Sequence, residues 1–173
     1  TVETLSELCE NLLKGNLYPS QPLPQNNDTN LVKICVHNNY EELVLKSSKD
    51  ILFIVGLGKF PVNQEYEPNY GNVALHLKEY NVDIVYMEAE VNYVPFEYNA
   101  NCYPTILFIP HTDKNNFIRF EEHRTEENIV AFLKNIIGNP DMLKLKQEDQ
   151  KFRYNSKKPL IVPNDFEMDF DKL

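Results

Sequence analysis

Cysteine and histidine carry much of the chemistry open to a chain of this size, so their spacing comes first. There are three cysteines, Cys9, Cys35 and Cys102, and no Cys-x-x-Cys pair. An odd, scattered set gives neither a disulfide framework nor a zinc site. Cys9 and Cys35 fall in apolar-patterned segments and read as small buried hydrophobes. His37, His76, His111 and His123 show no ligand spacing, so no metal and no other cofactor is assigned. What the chain does offer is a place where chemistry commonly sits. Ile51-Leu52-Phe53-Ile54-Val55 is an uninterrupted apolar run, suited to a strand buried on both faces of a parallel sheet. Gly56-Leu57-Gly58-Lys59 turns the chain, and Phe60-Pro61-Val62-Asn63-Gln64 leads into a helical pattern reaching about Tyr80. A strand feeding a helix start brings free N–H groups and partial positive charge to the loop. Pro61 suits the first turn, and Pro68 is expected to kink the helix.

The elements around that loop follow from pattern. Val32 to Val36 is a predicted strand, and Asn38 or Asn39 caps a helix through Leu43-Val44-Leu45. Val82 to Met87 and Thr105 to Ile109 are further strands, and Phe117 to Phe120 alternates like an edge strand. Val94 to Ala100 reads as a short helix interrupted by Pro95, and Thr125 to Ile137 as the closing helix, ended by Gly138-Asn139-Pro140. Strands alternating with helices predict an α/β layered fold.

Three stretches in this order resemble a known pattern. The strand, loop and Pro-containing helix are followed by Cys102-Tyr103-Pro104-Thr105 entering a strand. After that comes His123-Arg124-Thr125-Glu126-Glu127 opening a helix. Together, over about Asn11 to Ile137, they resemble a thioredoxin-like domain, specifically the a′ domain of the protein disulfide isomerase family. The resemblance implies a central mixed β-sheet flanked by helices, with N- and C-terminal extensions, and a cis bond at Tyr103-Pro104. It also implies four segments: residues 1–16 as the last helix of a preceding b′ domain, 17–31 as a Pro-rich linker, 32–138 as the a′ domain, and 139–173 as an acidic extension.

The departures decide the chemistry. Counting back from Pro68, the two family cysteines fall on Phe60 and Asn63, the residues between them on Pro61 and Val62, and the family Trp on Lys59. Thiol–disulfide exchange needs a thiolate and usually a resolving thiol, which Phe and Asn do not supply. The family's buried Glu–Lys pair falls on Ile54 and Tyr86. Losing only one of those charges would strand the other at about 3–5 kcal/mol; losing both fits a site released from redox work. Arg124 is kept, and its plain reading is a surface arginine near a helix start.

The chain of 173 residues carries a net charge of −9, with 42% hydrophobic residues and no tryptophan. That acidity argues against nucleic acid and anionic membrane as partners. No signal peptide, transmembrane run or retention signal is read, and the first residues look like the interior of a longer protein. The endoplasmic reticulum lumen follows from the resemblance alone, with Asn27-Asp28-Thr29 a compatible glycosylation sequon.

The expected function is therefore a redox-inactive binding module that holds unfolded or partner polypeptide, with Phe60, Val62, Tyr103 and Pro104 as its contact residues. A structural spacer and a one-thiol oxidoreductase using Cys102 are the alternatives. In the extension, Met142, Leu143 and Leu145 mark a helix over Pro140 to Gln150, and Lys146 to Lys158 reads as linker. Beyond it, Leu160 to Val162 and Phe166 to Phe170 are expected to bind an apolar groove made by Phe60, Tyr103 and the face of Thr4 to Lys14. That groove lies on this domain or on a second copy, which would give self-association through the extension.

Overall fold

The computed structural model describes Glu10 and residues 20–58, 68–98, 100, 102–137 and 139–156. Five strands, β1 (Val32–Cys35), β2 (Asp50–Gly56), β3 (Val82–Glu88), β4 (Thr105–Ile109) and β5 (Ile118–Arg119), form one sheet in the order β1-β3-β2-β4-β5. β1, β3 and β2 are mutually parallel, β4 runs antiparallel to β2, and β5 runs antiparallel to β4. Helices delimited among the described residues are α1 (Tyr70–His76), α2 (Glu126–Ile137) and α3 (Pro140–Ser156).

β2 is buried along its whole length because both faces of the sheet are covered. Leu52 and Ile54 face one core with Tyr70, Val73 and Leu77 from α1 and its end, and Ile129, Phe132, Leu133 and Ile136 from α2. Ile51, Phe53 and Val55 face the other core, with Cys35, Tyr40, Val44 and Tyr98. The period-two alternation of an all-apolar strand thus serves two cores at once.

Local chemistry explains where the elements differ from the sequence reading. The segment after β1 is a 3₁₀ turn, His37–Asn39, followed by a π-helical turn, Glu41–Leu45, closed by Lys46 N–H donating to Glu41 O at 2.9 Å. Asn39 sits inside this turn and accepts from Val36 N–H at 2.7 Å, so its carboxamide ends β1 rather than starting an α-helix. Only Phe96–Tyr98 is helical in the next predicted helix, as a 3₁₀ turn behind Pro95. After Pro68, α1 begins with an N-terminus of its own. Asn69 accepts from Gly71 N–H at 3.0 Å and Asn72 N–H at 3.3 Å, so the stretch after Pro68 is a capped helix, and the limb expected before Pro68 lies outside the described residues. The stretch read as linker beyond Lys146 continues as helix through Ser156.

Candidate functional site

The C-terminal ends of β2 and β3 and the N-terminal end of β4 meet at one edge of the molecule. β2 pairs with β3 through Ile54 opposite Tyr86 and Gly56 opposite Glu88, and with β4 through Val55 opposite Thr105. This register puts Gly56-Leu57-Gly58, the start of the candidate loop, beside Cys102-Tyr103-Pro104. The Tyr103–Pro104 bond is cis.

Gly58 is held from both sides by β3. Its N–H donates to Glu88 Oε1 at 2.6 Å, and its carbonyl accepts from Tyr86 Oη at 3.0 Å. Tyr86 and Glu88 point to the same face because they are two residues apart on a strand. Two glycines make the arrangement possible. Gly58 has φ 88°, a left-handed backbone that favours glycine. A Cβ on Gly56 would lie 2.2 Å from Tyr86 Oη, so the tyrosine ring occupies the space a side chain would need. Ile54 and Tyr86 are both buried, and neither carries a charge. The hydroxyl that burial brings in has a backbone partner, as a buried polar group requires.

The β4 side is fixed by a second set of bonds. Thr105 Oγ1 donates to Cys102 O at 2.6 Å and accepts from Arg119 Nη1 at 3.3 Å. Arg119 also donates to Tyr98 O. Burial lowers the pKa of the Arg119 guanidinium, with Glu121 and Cys102 acting in the opposite direction. Pro104 is buried, whereas Cys102 and Tyr103 are exposed. Asn92, buried below the rim, donates to Glu88 O at 3.0 Å and accepts from Gln21 N–H at 2.9 Å and His37 N–H at 3.3 Å.

The face that results presents Leu57 at 43% exposure and Tyr103 at 37%, two apolar side chains on a frame of saturated hydrogen bonds. Cys35 is fully buried, and burial pushes its thiol well above the ordinary range, so it is no nucleophile. Among the described residues no group of three or more His, Cys, Asp and Glu is placed to hold a metal ion. No helix among them is long and apolar enough to cross a membrane.

Of the residues singled out from sequence, the structure brings Ile54, Tyr86, Cys102, Tyr103 and Pro104 to this edge. Lys59, Phe60, Pro61, Val62 and Asn63 lie outside the described residues, as do Cys9, Thr4 to Lys14 apart from Glu10, and the apolar stretches Leu160 to Val162 and Phe166 to Phe170. Arg124 is exposed, just before α2. The neighbouring Thr125 accepts from Asn128 N–H at 3.2 Å, and Glu126 accepts from Asn69 N–H at 3.0 Å, tying the starts of α1 and α2 together. Sequence reasoning missed Gly58, Glu88, Asn92 and Arg119. For Gly58 the signal was present, since paired glycines after a buried strand mark a backbone that needs room.

No family model matches the chain. Curated relatives do. The chain is 36% identical over 139 residues to protein disulfide isomerase-like 1-3 of Arabidopsis thaliana, covering 78% of this chain and 24% of that one. It is 30% identical over 160 residues to protein disulfide-isomerase A3 of Gallus gallus, covering 90% and 31%. It is 34% identical over 137 residues to protein disulfide-isomerase A4 of Homo sapiens, covering 76% and 21%. The matched region thus spans between about a fifth and a third of these relatives. The fold is similar to the solution structure of the first thioredoxin domain of mouse protein disulfide-isomerase A4. The TM-score is 0.52 at 19% identity, covering 70% of this chain and 90% of that one.

Proposed function

The chain is a thioredoxin-like domain of the protein disulfide isomerase family, and from that premise we propose that it is a redox-inactive member that holds extended or unfolded polypeptide. The observation that carries the reading is the frame behind the loop. Ile54 and Tyr86 are uncharged, buried and satisfied, Glu88 and Tyr86 are committed to the Gly58 backbone, and the sequence has no Cys-x-x-Cys. An apolar rim on a rigid frame binds; without a thiol pair it does not exchange disulfides. Phe60 and Val62, together with Tyr103 and Pro104, are the proposed contacts. The endoplasmic reticulum lumen belongs to the same reading, supported by the names of the relatives.

The test has two arms. Fluorescence anisotropy should show the chain binding a reduced, carboxymethylated protein, and Tyr103→Asp should weaken that binding at least fivefold. Insulin reduction by thiol turnover should stay at the level of free thiol. Failure to bind would leave the spacer reading in its place. A second reading has one observation in its favour, the exposure of Cys102 on the rim. It describes a single thiol that forms mixed disulfides. Insulin reduction above the free-thiol level and abolished by Cys102→Ser would establish it and remove the first.

A further inference from the structure

The sheet has two edges, β1 and β5, and carboxamide side chains close both. On β1, Asn27 Oδ1 accepts from Ile34 N–H at 2.7 Å and Asn27 Nδ2 donates to Ile34 O at 2.8 Å. On β5, Gln150 Oε1 accepts from Arg119 N–H at 2.8 Å and Gln150 Nε2 reaches Phe117 O at 3.5 Å. Gln147 Nε2 adds a bond to Asn116 O at 2.5 Å. A carboxamide has the donor and acceptor of a peptide group, so each of these side chains stands where the main chain of a neighbouring strand would stand.

The two closures are held differently. Asn27 belongs to a 3₁₀ turn seven residues from Ile34. Gln147 and Gln150 belong to α3, and between Pro140 and Arg153 only Met142, Leu143, Lys146, Gln147 and Gln150 are even half-buried. Leu145 and Phe152 are exposed, and the Arg153–Glu121 pair at 3.0 Å lies in solvent, where it contributes little. Beside this edge runs a groove of about 960 Å³, and among the side chains that line it are Phe96, Phe117 and Phe132. Phe96 is 85% exposed. Its charged lining is mixed, with Arg119, Lys146, Lys151 and Arg153 against Glu97, Glu121, Glu122 and Asp149.

We propose that the outer edge of β5 is a docking site for an extended polypeptide main chain, and that α3 fills it with Gln147 and Gln150 as an intramolecular stand-in. The partner adds as an antiparallel strand, takes over the bonds to Arg119 N–H, Phe117 O and Asn116 O, and sets alternate side chains into the groove at Phe96. Main-chain pairing on a sheet edge takes little account of sequence, and the charged lining that does not belong to α3, Glu97, Glu121 and Glu122 with Arg119, favours basic or neutral side chains there. Pairing that tolerates many sequences suits a domain that holds unfolded chains, so the inference rests on that reading and gives it a second surface, on the outer edge of β5.

The experiment uses the whole chain and a reduced, carboxymethylated lactalbumin as probe. The variant Gln147→Ala/Gln150→Ala/Arg153→Glu removes the stand-in and the exposed Arg153–Glu121 pair beside it. Its affinity for the probe should rise about tenfold, with protection of the Arg119 amide from hydrogen exchange on binding. In the unmodified chain, saturation with probe should speed exchange of the α3 amides, a readout that needs no variant. Unchanged affinity of the variant, or α3 exchange that ignores the probe, overturns the proposal. If Tyr103→Asp abolishes binding while the α3 variant changes nothing, the rim reading stands and this one falls. If neither the variant nor the unmodified chain binds the probe, both fall. If the α3 variant gains affinity and Tyr103→Asp changes nothing, the edge is the site and the rim is not.

Discussion

Tyr40 and Tyr98 meet hydroxyl to hydroxyl at 2.5 Å inside the core that contains Cys35 and Phe53. Burial pushes the Tyr40 phenol up to about 12, with its bond to Tyr98 opposing. It raises Tyr98 further, so both stay neutral and share one hydrogen bond. Replacing either tyrosine with Phe leaves the other hydroxyl buried without that partner. Each single substitution should cost about 1–3 kcal/mol, and the double should cost clearly less than the sum. Urea midpoints of the four proteins check this, and strict additivity would refute it. At Gly56 the constraint is space. Gly56→Ala drives a methyl into the Tyr86 ring and should cost about 1–3 kcal/mol. Pairing it with Tyr86→Val should recover part of the loss, read as a midpoint between those of the two single variants. At this scale the sequence was partly legible. That Ile54 and Tyr86, where the family resemblance puts a buried Glu–Lys pair, carry no charge is plain from the sequence. That Tyr86 and Glu88 would turn to the backbone of Gly58 is not, because those bonds join residues 28 and 30 apart in the chain.

The elements read from periodicity were recovered where burial alone decides them. β2 and β4 are buried throughout and apolar after their first residues, Asp50 and Thr105, which suits a two-sided sheet. Elements set by side chain to backbone bonds were harder to read. The Asn39 bond turns a predicted helix into 3₁₀ and π turns, and α3 looks too polar to dock because much of its contact is made by glutamine carboxamides, with Leu143 as its apolar anchor. A polar clamp also joins the strand starts at the far end of the sheet. Asp83 on β3 accepts from Lys33 of β1 at 2.7 Å and from Lys49, just before β2, at 2.8 Å. Burial alone would raise the Asp83 carboxyl, but the hydrogen bonds and charges of the two lysines outweigh it and hold its pKa below the ordinary 3.8. A depressed folded-state pKa stabilises the fold fully above the unfolded pKa, and that stabilisation is lost as pH falls through the folded value. The unmodified chain should therefore lose urea resistance as pH drops below about 4, and Asp83→Asn should show a shallower fall over the same range. Parallel acid limbs for the two proteins would show that the clamp does not act on stability.

For the whole molecule, the question is where the folded unit begins and ends. The sequence placed its limits at residues 32 and 138, on a Pro-rich stretch before and a Gly-Asn-Pro stop after. The structure packs both flanks against the sheet. Upstream, Ser20 Oγ accepts from Asn38 N–H at 3.3 Å, Gln21 is bonded through its N–H and its side chain to buried Asn92, and Asn27 closes the β1 edge. Downstream, Leu143 packs against the core around Phe132 and Ile136, and Gln147 and Gln150 close β5. Composition hid this, because proline, asparagine and glutamine read as linker when their partners lie elsewhere in the chain. Each such bond contributes about 0.5–1.5 kcal/mol net, and a domain's whole margin is about 5–15 kcal/mol. A chain cut to residues 32–138 should therefore be much less stable than one cut to 20–156. The decisive comparison is of urea midpoints, with concentration dependence followed by light scattering. The short form also exposes both sheet edges, so it should associate as its concentration rises while the longer form stays unchanged. Equal midpoints and equal scattering would place the flanks outside the folding unit.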